Sequence, residues 1–238
     1  MHGDIAIPRG YLMMTYYDPP FRNRSDAGRI LAESLKHYQG SDVLVFAIPR
    51  GGIPVAVEVA KKLGSKLDII VPRKIPIPDN PEAGYGAVTE DGVIVLNEPL
   101  VRELQLTKLQ IEHQAEEIRA EIRRRHSVFR VKLMPSSVEG KTAIIVDDGL
   151  ASGYTMMAAI RSIRQQGAIK VVAAAPVASS SAWELIKTAA DEVVCPVVSY
   201  HYPFAVAGFY RHWHDLTDEE VLDDLEGFVR DYKGRKND

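Results

Sequence analysis

Two adjacent carboxylates, Asp147 and Asp148, directly follow an apolar run at residues 142–146. The residues after them are rich in glycine and hydroxyl side chains and lead into a predicted helix: Gly149, Leu150, Ala151, Ser152, Gly153, Tyr154 and Thr155. Backbone amides in such a loop, the helix N-terminus and the hydroxyls of Ser152 and Thr155 can together hold a phosphate group. Because carboxylates repel phosphate, the acidic pair must contact something else on the ligand, such as a sugar diol, a cation, or both.

A second short motif, Arg50, Gly51 and Gly52, follows the apolar run at residues 43–48. Glycine at these positions would let backbone amides approach a ligand closely. Taken alone, the same three residues are also typical of an ordinary turn.

A third motif consists of the cations Arg73 and Lys74, which follow the apolar run at residues 67–71. Fixed cations at such a point could stabilise negative charge that develops on a leaving group. The alternative is a pair of solvated basic residues at a strand end. The proline- and glycine-rich residues 75–92 that follow predict a long irregular loop, which inside a compact domain is usually functional or mobile.

Apolar runs typical of buried strands alternate with helical segments along the chain. The predicted strands are residues 43–48, 67–71, 93–96, 142–146, 169–176 and 192–195, and the main predicted helices are residues 25–39, 53–63, 107–126, 155–166, 182–190 and 217–232. This alternation predicts an α/β fold with a central parallel sheet flanked by helices. Ligands of such sheets bind beyond the carboxyl ends of the strands, so the three motifs are expected to meet at one edge.

The run from residue 143 to residue 155 resembles the phosphoribosyl pyrophosphate (PRPP) signature of type I phosphoribosyltransferases. That signature is an apolar strand, an acidic pair, and a phosphate loop of Thr/Ser-Gly-x-Thr type. The resemblance extends over most of residues 25–196 and is greatest to a bacterial and archaeal group of unsettled substrate. It implies a Rossmann-like core carrying a small hood. Ala151 and Tyr154 depart from many relatives, which changes the number of side chains that can contact phosphate.

The resemblance also implies a role for each motif. Residues 149–155 would bind the 5-phosphate of PRPP, and Asp147 and Asp148 would bind the ribose hydroxyls and a Mg²⁺ ion. The pyrophosphate would be bound by the residues of the second motif and by one of the basic pair: Arg50, Gly51, Gly52 and Lys74. Arg73 would assist Lys74 at the leaving group, residues 75–92 would form a mobile catalytic loop, and the Arg50–Gly51 peptide bond would be cis.

The implied organisation is a core with a lid. Residues 1–24 are predicted to be an N-terminal arm belonging to the hood, and residues 25–196 the transferase core. Residues 197–238 would add an aromatic hood segment and a C-terminal helix opened by a capping box at Thr217. The aromatic run at residues 200–213 could stack on a nucleobase, or simply pack the lid.

The composition of the chain limits the kinds of binding partner and cellular compartment that we expect. The 238 residues carry 29 basic and 32 acidic side chains, a net charge of −3, which gives no strong field for attracting nucleic acid. Because Cys195 is the only cysteine, an internal disulfide is excluded, which fits a reducing cytoplasm. The apolar runs fall short of the ~20 residues that span a bilayer.

The apolar stripe on the long helix, at Ile111, Ala115, Ile118 and Ile122, predicts a buried face or a homodimer contact.

Together with these motifs, the resemblance to type I phosphoribosyltransferases implies an enzyme that transfers the 5-phosphoribosyl group of Mg²⁺-bound PRPP to a nucleobase-like acceptor and releases pyrophosphate. The alternative is a non-catalytic sensor of PRPP or a nucleotide with the same fold. The basic pair Arg73 and Lys74 favours catalysis, because binding alone needs no leaving-group cations.

Overall fold

The protein is described from a computed structural model that covers residues 19–78, 80–130, 132–133 and 136–237. Its centre is a sheet of five parallel strands: β1 (Val43–Ala47), β2 (Lys66–Ile69), β6 (Thr142–Val146), β7 (Lys170–Ala174) and β9 (Glu192–Val194). Their order across the sheet is β2, β1, β6, β7, β9, so β6 lies in the middle. The predicted α/β class with a central parallel sheet is confirmed.

Helices cover both faces of this sheet. The principal ones are α1 (Arg24–Ser34), α2 (Gly52–Leu63), α5 (Tyr154–Gln165), α6 (Ser180–Lys187) and α7 (Asp218–Asn237). Alternate residues of β1 enter two separate cores: Val45 packs on one face, and Leu44 and Phe46 on the other. Both faces are therefore buried, which explains why the strands are apolar throughout.

The interpretation of residues 75–92 as an irregular loop is wrong. They lie mostly in an antiparallel sheet of β3 (Arg73–Ile77), β4 (Asn80–Val88) and β5 (Ile94–Leu96). Pro76 stands where the register of β3 shifts against β4, at a bulge that tolerates the missing amide. Buried Tyr85 and Val88 supply the apolar packing that outweighs the turn-forming composition.

Helix α4 (Lys108–Arg130) lies against this small sheet and is longer than the predicted 107–126. The hydroxyl of Tyr85 donates to Gln114 Oε1 at 2.7 Å, and Gln114 Nε2 donates to the carbonyl of Pro76 at 3.0 Å. The stripe formed by Ile111, Ala115 and Ile122 is buried within the chain's own core. Packing inside the protomer therefore accounts for that stripe, and the homodimer contact stays a prediction.

Helix α1 begins at Arg24, capped by the Asn23 side chain, and ends at Ser34, where the sequence predicted a helix from 25 to 39. A 3₁₀ turn, Lys36–Tyr38, replaces its last part. The capping box is confirmed: Glu220 N donates to Thr217 Oγ1 at 3.2 Å, and Thr217 N donates to Glu220 Oε2 at 2.8 Å.

The segment before α1 pairs with the aromatic segment near the C-terminus. Phe21 N donates to the carbonyl of Phe209 at 3.2 Å, and Arg211 N donates to the carbonyl of Phe21 at 2.9 Å. Phe21, Tyr210 and Trp213 pack in one cluster, hereafter the hood cluster. The predicted arm before residue 19 lies outside the described residues. Among the residues described, no helix is both long and apolar enough to cross a bilayer.

Candidate active site

The acidic pair lies at the carboxyl end of β6, the middle strand of the sheet. Asp147 N still donates to the carbonyl of Ala174 at 3.2 Å, and Asp148 N donates to Asp147 Oδ1 at 2.9 Å. Both residues are partly exposed, so a ligand beyond the strand ends can reach them. The central strand thus delivers the two charges to the edge where parallel sheets bind ligands.

The loop after the acidic pair is anchored on one side only. Leu150 pairs with the short strand β8 (Val177–Ser179), because its amide donates to the carbonyl of Val177 at 2.9 Å. Ser179 Oγ donates to the carbonyl of Ala151 at 2.6 Å. Gly153 then adopts a left-handed conformation with φ 82°, which strongly favours glycine, and α5 begins at the next residue.

Four consecutive amides of this loop are available to a ligand. In the part of the chain that the structure describes, the amides of residues 152–155 donate to no other protein group. They lie at the N-terminal end of α5, where unpaired amides and the helix dipole favour an anion. Ser152 is exposed and Thr155 is half-buried, so a ligand at these amides could also reach both side chains.

The second motif packs directly against the acidic pair. A Cβ added at Gly51 would lie 1.9 Å from Asp148 Oδ2, and one at Gly52 would lie 2.7 Å from the carbonyl oxygen of Val146. Side chains there are excluded by contact, so the turn must be built from glycine. The structure therefore brings the first and second motifs together at one edge of the sheet.

The predicted position of the cis peptide bond is wrong by one residue. The cis bond joins Pro49 to Arg50, not Arg50 to Gly51. Gly51 already has helical dihedral angles, φ −59° and ψ −34°, and its neighbour Gly52 begins α2. The turn over residues 49–51 is closed by Gly52 N, which donates to the carbonyl of Ile48 at 3.0 Å.

The basic pair is arranged differently from the expectation. Arg73 and Lys74 lie within β3 rather than after a strand, and Lys74 is exposed. Arg73 Nη2 lies 3.2 Å from Glu121 Oε1 of α4. The structure therefore gives Arg73 a carboxylate partner on α4.

Arg50 and a residue that the sequence reasoning missed, Arg125, share this charged region. Arg50 Nη1 lies 3.5 Å from Asp218 Oδ1 at the start of α7. Burial and the positive charge of Arg73 lower the pKa of Arg125, and the Arg50 charge adds to the effect. Arg125 Nε lies 3.5 Å from the same Glu121 carboxylate that contacts Arg73. The positive charges of Arg73 and Arg50 thus both act on Arg125.

Two further residues at the acidic pair were also missed. Arg24 Nε donates to Asp148 Oδ2 at 2.8 Å, and the hydroxyl of Tyr210 donates to the main-chain carbonyl of Asp148 at 2.6 Å. Arg24 is 124 residues away in sequence, and its spacing carries no signal. The aromatic run containing Tyr210 was noted, but nothing in it indicated contact with an aspartate.

The acidic pair is electrostatically prepared for a cation. Burial raises the pKa of Asp147, and the neighbouring Asp148 charge raises it further. Burial also raises the pKa of Asp148, although Arg24 opposes that rise. Two carboxylates that resist ionisation together gain most from a bound positive charge.

Carboxylate oxygens are the ligands that Mg²⁺ prefers, and it usually keeps substrate oxygens and waters as its other ligands. The described residues contain no group of three or more His, Cys, Asp or Glu side chains arranged to hold a metal. The donor set of Asp147 and Asp148 fits a Mg²⁺ ion that takes its other ligands from a phosphorylated ligand and from water.

The sequence and the fold both have clear relatives. Proteins from two strains of Mycobacterium tuberculosis, CDC 1551 / Oshkosh and H37Rv, are 41% identical over 212 residues, and both are provisionally named phosphoribosyl transferases. The match covers 89% of this chain but 48% of theirs, so the chain spans about half the length of these relatives.

A solved structure agrees with the sequence match. The crystal structure of TT1426 from Thermus thermophilus is 38% identical, with a TM-score of 0.73 over 87% of this chain and 98% of that one. The family model of the phosphoribosyl transferase domain matches residues 22–210, which include the second motif, the acidic pair with the loop after it, and Tyr210. The chain belongs to the phosphoribosyl transferase domain family.

Proposed function

We propose that this protein transfers the 5-phosphoribosyl group of Mg²⁺-bound PRPP to a nucleobase-like acceptor, releasing pyrophosphate in the cytoplasm as a step of nucleotide metabolism. The observation that carries the proposal is the direct packing of Gly51 against Asp148 at the end of β6. It joins an acidic pair suited to a sugar diol and metal with a side-chain-free turn suited to a diphosphate.

The 5-phosphate would occupy the N-terminal end of α5. The free amides of residues 152–155 and the hydroxyls of Ser152 and Thr155 supply donors on one side of the loop. Ala151 contributes no hydroxyl, and its carbonyl is held away by Ser179. Backbone amides would therefore provide most of the contacts to the phosphate.

The ribose would lie over the acidic pair. Carboxylate oxygens of Asp147 and Asp148 can accept hydrogen bonds from two neighbouring hydroxyls and can also hold the metal. The transition state of such a transfer has oxocarbenium character, and two nearby carboxylates stabilise that positive charge. Bound Mg²⁺ would neutralise charge on the departing diphosphate.

The pyrophosphate would lie against the second motif. The Arg50, Gly51 and Gly52 backbone can approach a diphosphate because glycine leaves room for it. Arg73 and Lys74 complete the set predicted from sequence, and the positive charge around Arg50 supports an anion at this end of the site. Cations here act on the leaving group, so they would affect the rate more than the affinity for the ribose.

The proposal is tested by incubating the protein with PRPP, Mg²⁺ and a panel of nucleobases while measuring pyrophosphate. A double variant, Asp147→Asn with Asp148→Asn, should lose Mg²⁺-PRPP binding while its thermal unfolding stays cooperative. Asp42→Asn, which removes one carboxylate from an exposed site, is the control and should bind normally. Unchanged PRPP affinity in the double variant would refute the assignment of the site.

The same experiment separates catalysis from sensing. Base-dependent pyrophosphate release with any member of the panel supports the transferase. PRPP binding that is intact in the unchanged protein and lost in the double variant, without release for any base, would favour the non-catalytic sensor. The acceptor is identified by the base that gives release.

A further inference from the structure

Arg24 is buried to an extent that is rare for arginine. It stands at the start of α1 and is 8% exposed. Long charged side chains are almost never buried this far unless they are paired. Arg24 therefore needs a partner inside the protein, and its contacts identify that partner.

Three contacts fix the guanidinium group of Arg24. Its Nε donates to Asp148 Oδ2 at 2.8 Å, and its Nη1 donates to the carbonyl of His214 at 2.9 Å. Its central carbon lies 3.7 Å from the centre of the Trp213 ring, in a cation–π arrangement. One side chain thus connects the acidic pair to the hood cluster.

A second contact connects Asp148 to the hood cluster. The hydroxyl of Tyr210 donates to the Asp148 carbonyl at 2.6 Å, and the Tyr210 ring packs on Trp213 with 5.1 Å between centres. Gly51 also packs closely against the Asp148 carboxylate. Asp148 therefore has its main chain fixed by Tyr210 and its side chain fixed by Arg24, with little freedom to choose another orientation.

We propose that Arg24 is a positioning residue that orients the Asp148 carboxylate for the ribose and metal of PRPP and links that orientation to the hood through Trp213. This inference rests on the proposed function. A hydrogen-bonded partner fixes the direction of a ligating carboxylate, and losing such a partner typically weakens metal or ligand binding by about 10- to 100-fold. The link also makes Trp213 sensitive to any ligand that moves Arg24.

The experiment uses Trp213 as its own reporter. The chain has two tryptophans, and Trp183→Phe leaves Trp213 as the only one. In that background Mg²⁺-PRPP is titrated while Trp213 emission is recorded, and calorimetry measures the same affinity independently. We expect ligand binding to change the emission, and Arg24→Gln to weaken binding by about 10- to 100-fold and to reduce the emission change.

Two further variants define the cause. Arg29→Gln removes a more exposed arginine of the same helix that pairs with Asp26 and Glu58, and it should bind Mg²⁺-PRPP as the unchanged protein does. Arg24→Lys keeps the charge but lacks the planar fork and stacks poorly, so it should restore only part of the affinity. Full restoration by lysine would show that charge alone matters and would overturn the positioning role.

Each result has a separate meaning. A parent protein that fails to bind Mg²⁺-PRPP contradicts the proposed function itself. A parent that binds, together with a folded Arg24→Gln variant of equal affinity, overturns only the inference about Arg24. If Arg24→Gln fails to fold, Trp213→Leu replaces it, since it removes the stack and keeps the Asp148 contact. Unchanged PRPP affinity and calorimetric signal in Trp213→Leu would then overturn the link to the hood.

Discussion

Replacing Gly51 by alanine tests the close packing between the second motif and the acidic pair. The backbone at Gly51, with φ −59° and ψ −34°, is one that alanine adopts without strain. Any effect of Gly51→Ala must therefore come from the added methyl group. That methyl would lie 1.9 Å from Asp148 Oδ2 and 2.5 Å from its Cγ, distances at which one of the two groups must move.

The structure indicates two ways to relieve the contact, and both cost stability. If the Asp148 side chain turns away, it loses its 2.8 Å hydrogen bond with Arg24, and a hydrogen bond to a charged group contributes about 1.5–3 kcal/mol. If the start of α2 moves instead, overpacking costs about 1–3 kcal/mol. We expect a loss near 2 kcal/mol, which for a domain of this size lowers the melting temperature by roughly 4–8 °C.

The assay is thermal unfolding with Mg²⁺-PRPP titration on the same samples. Gly208→Ala is the matched control, because a Cβ there meets nothing within 4 Å, and it should melt and bind as the unchanged protein does. Gly51→Ala should lose both stability and affinity. A Gly51→Ala protein with the parent's melting temperature and PRPP affinity would refute the close approach of Gly51 to Asp148.

Three other predictions follow from buried polar groups. Burial raises the pKa of Asp68, so ionisation of this side chain lowers the stability of the parent protein as the pH rises above about 4. The unfolding free energy of Asp68→Asn relative to the parent, measured by denaturant titration, should therefore increase with pH. A difference that does not change with pH would contradict this prediction. Burial raises the pKa of the Cys195 thiol to about 12, so the thiolate fraction at pH 8 is about 10⁻⁴. A disulfide reagent should therefore label Cys195 about a thousandfold more slowly in the native protein than in denaturant. Rapid labelling of the native protein would be inconsistent with the burial of Cys195. Tyr210→Phe removes the donor to the Asp148 carbonyl and should lower the unfolding free energy by about 1 kcal/mol, whereas no loss would show that water replaces the hydroxyl without cost.

Local patterns were sufficient for the strands of the central sheet and for the acidic pair. The run at residues 142–146 is apolar because both faces of the sheet are covered, and that burial leaves a continuous signal in the sequence. The carboxylates that follow it needed no long-range contact to be recognised. The loop after the acidic pair was equally recognisable, because Gly153 stands where the backbone adopts a left-handed conformation that favours glycine.

Residues 75–92 show where local patterns mislead. Their prolines and glycines predict irregular backbone. The pairing of β3 with β4 and the hydrogen bond from Tyr85 to Gln114 override that tendency. Strand formation depends on neighbours that composition does not reveal. Arg73 was misplaced for the same reason, since its position within β3 and its contact with Glu121 exist only once α4 lies against the small sheet.

The sequence by itself determined the α/β class and the order of the motifs along the chain, because each depends on neighbours a few residues away. Only the tertiary structure decided that Arg24 pairs with Asp148 and that Tyr210 fixes the same residue from the hood. Those contacts join segments more than sixty and more than a hundred residues apart, and they form because a buried charge and a buried carbonyl must find partners wherever the fold brings them.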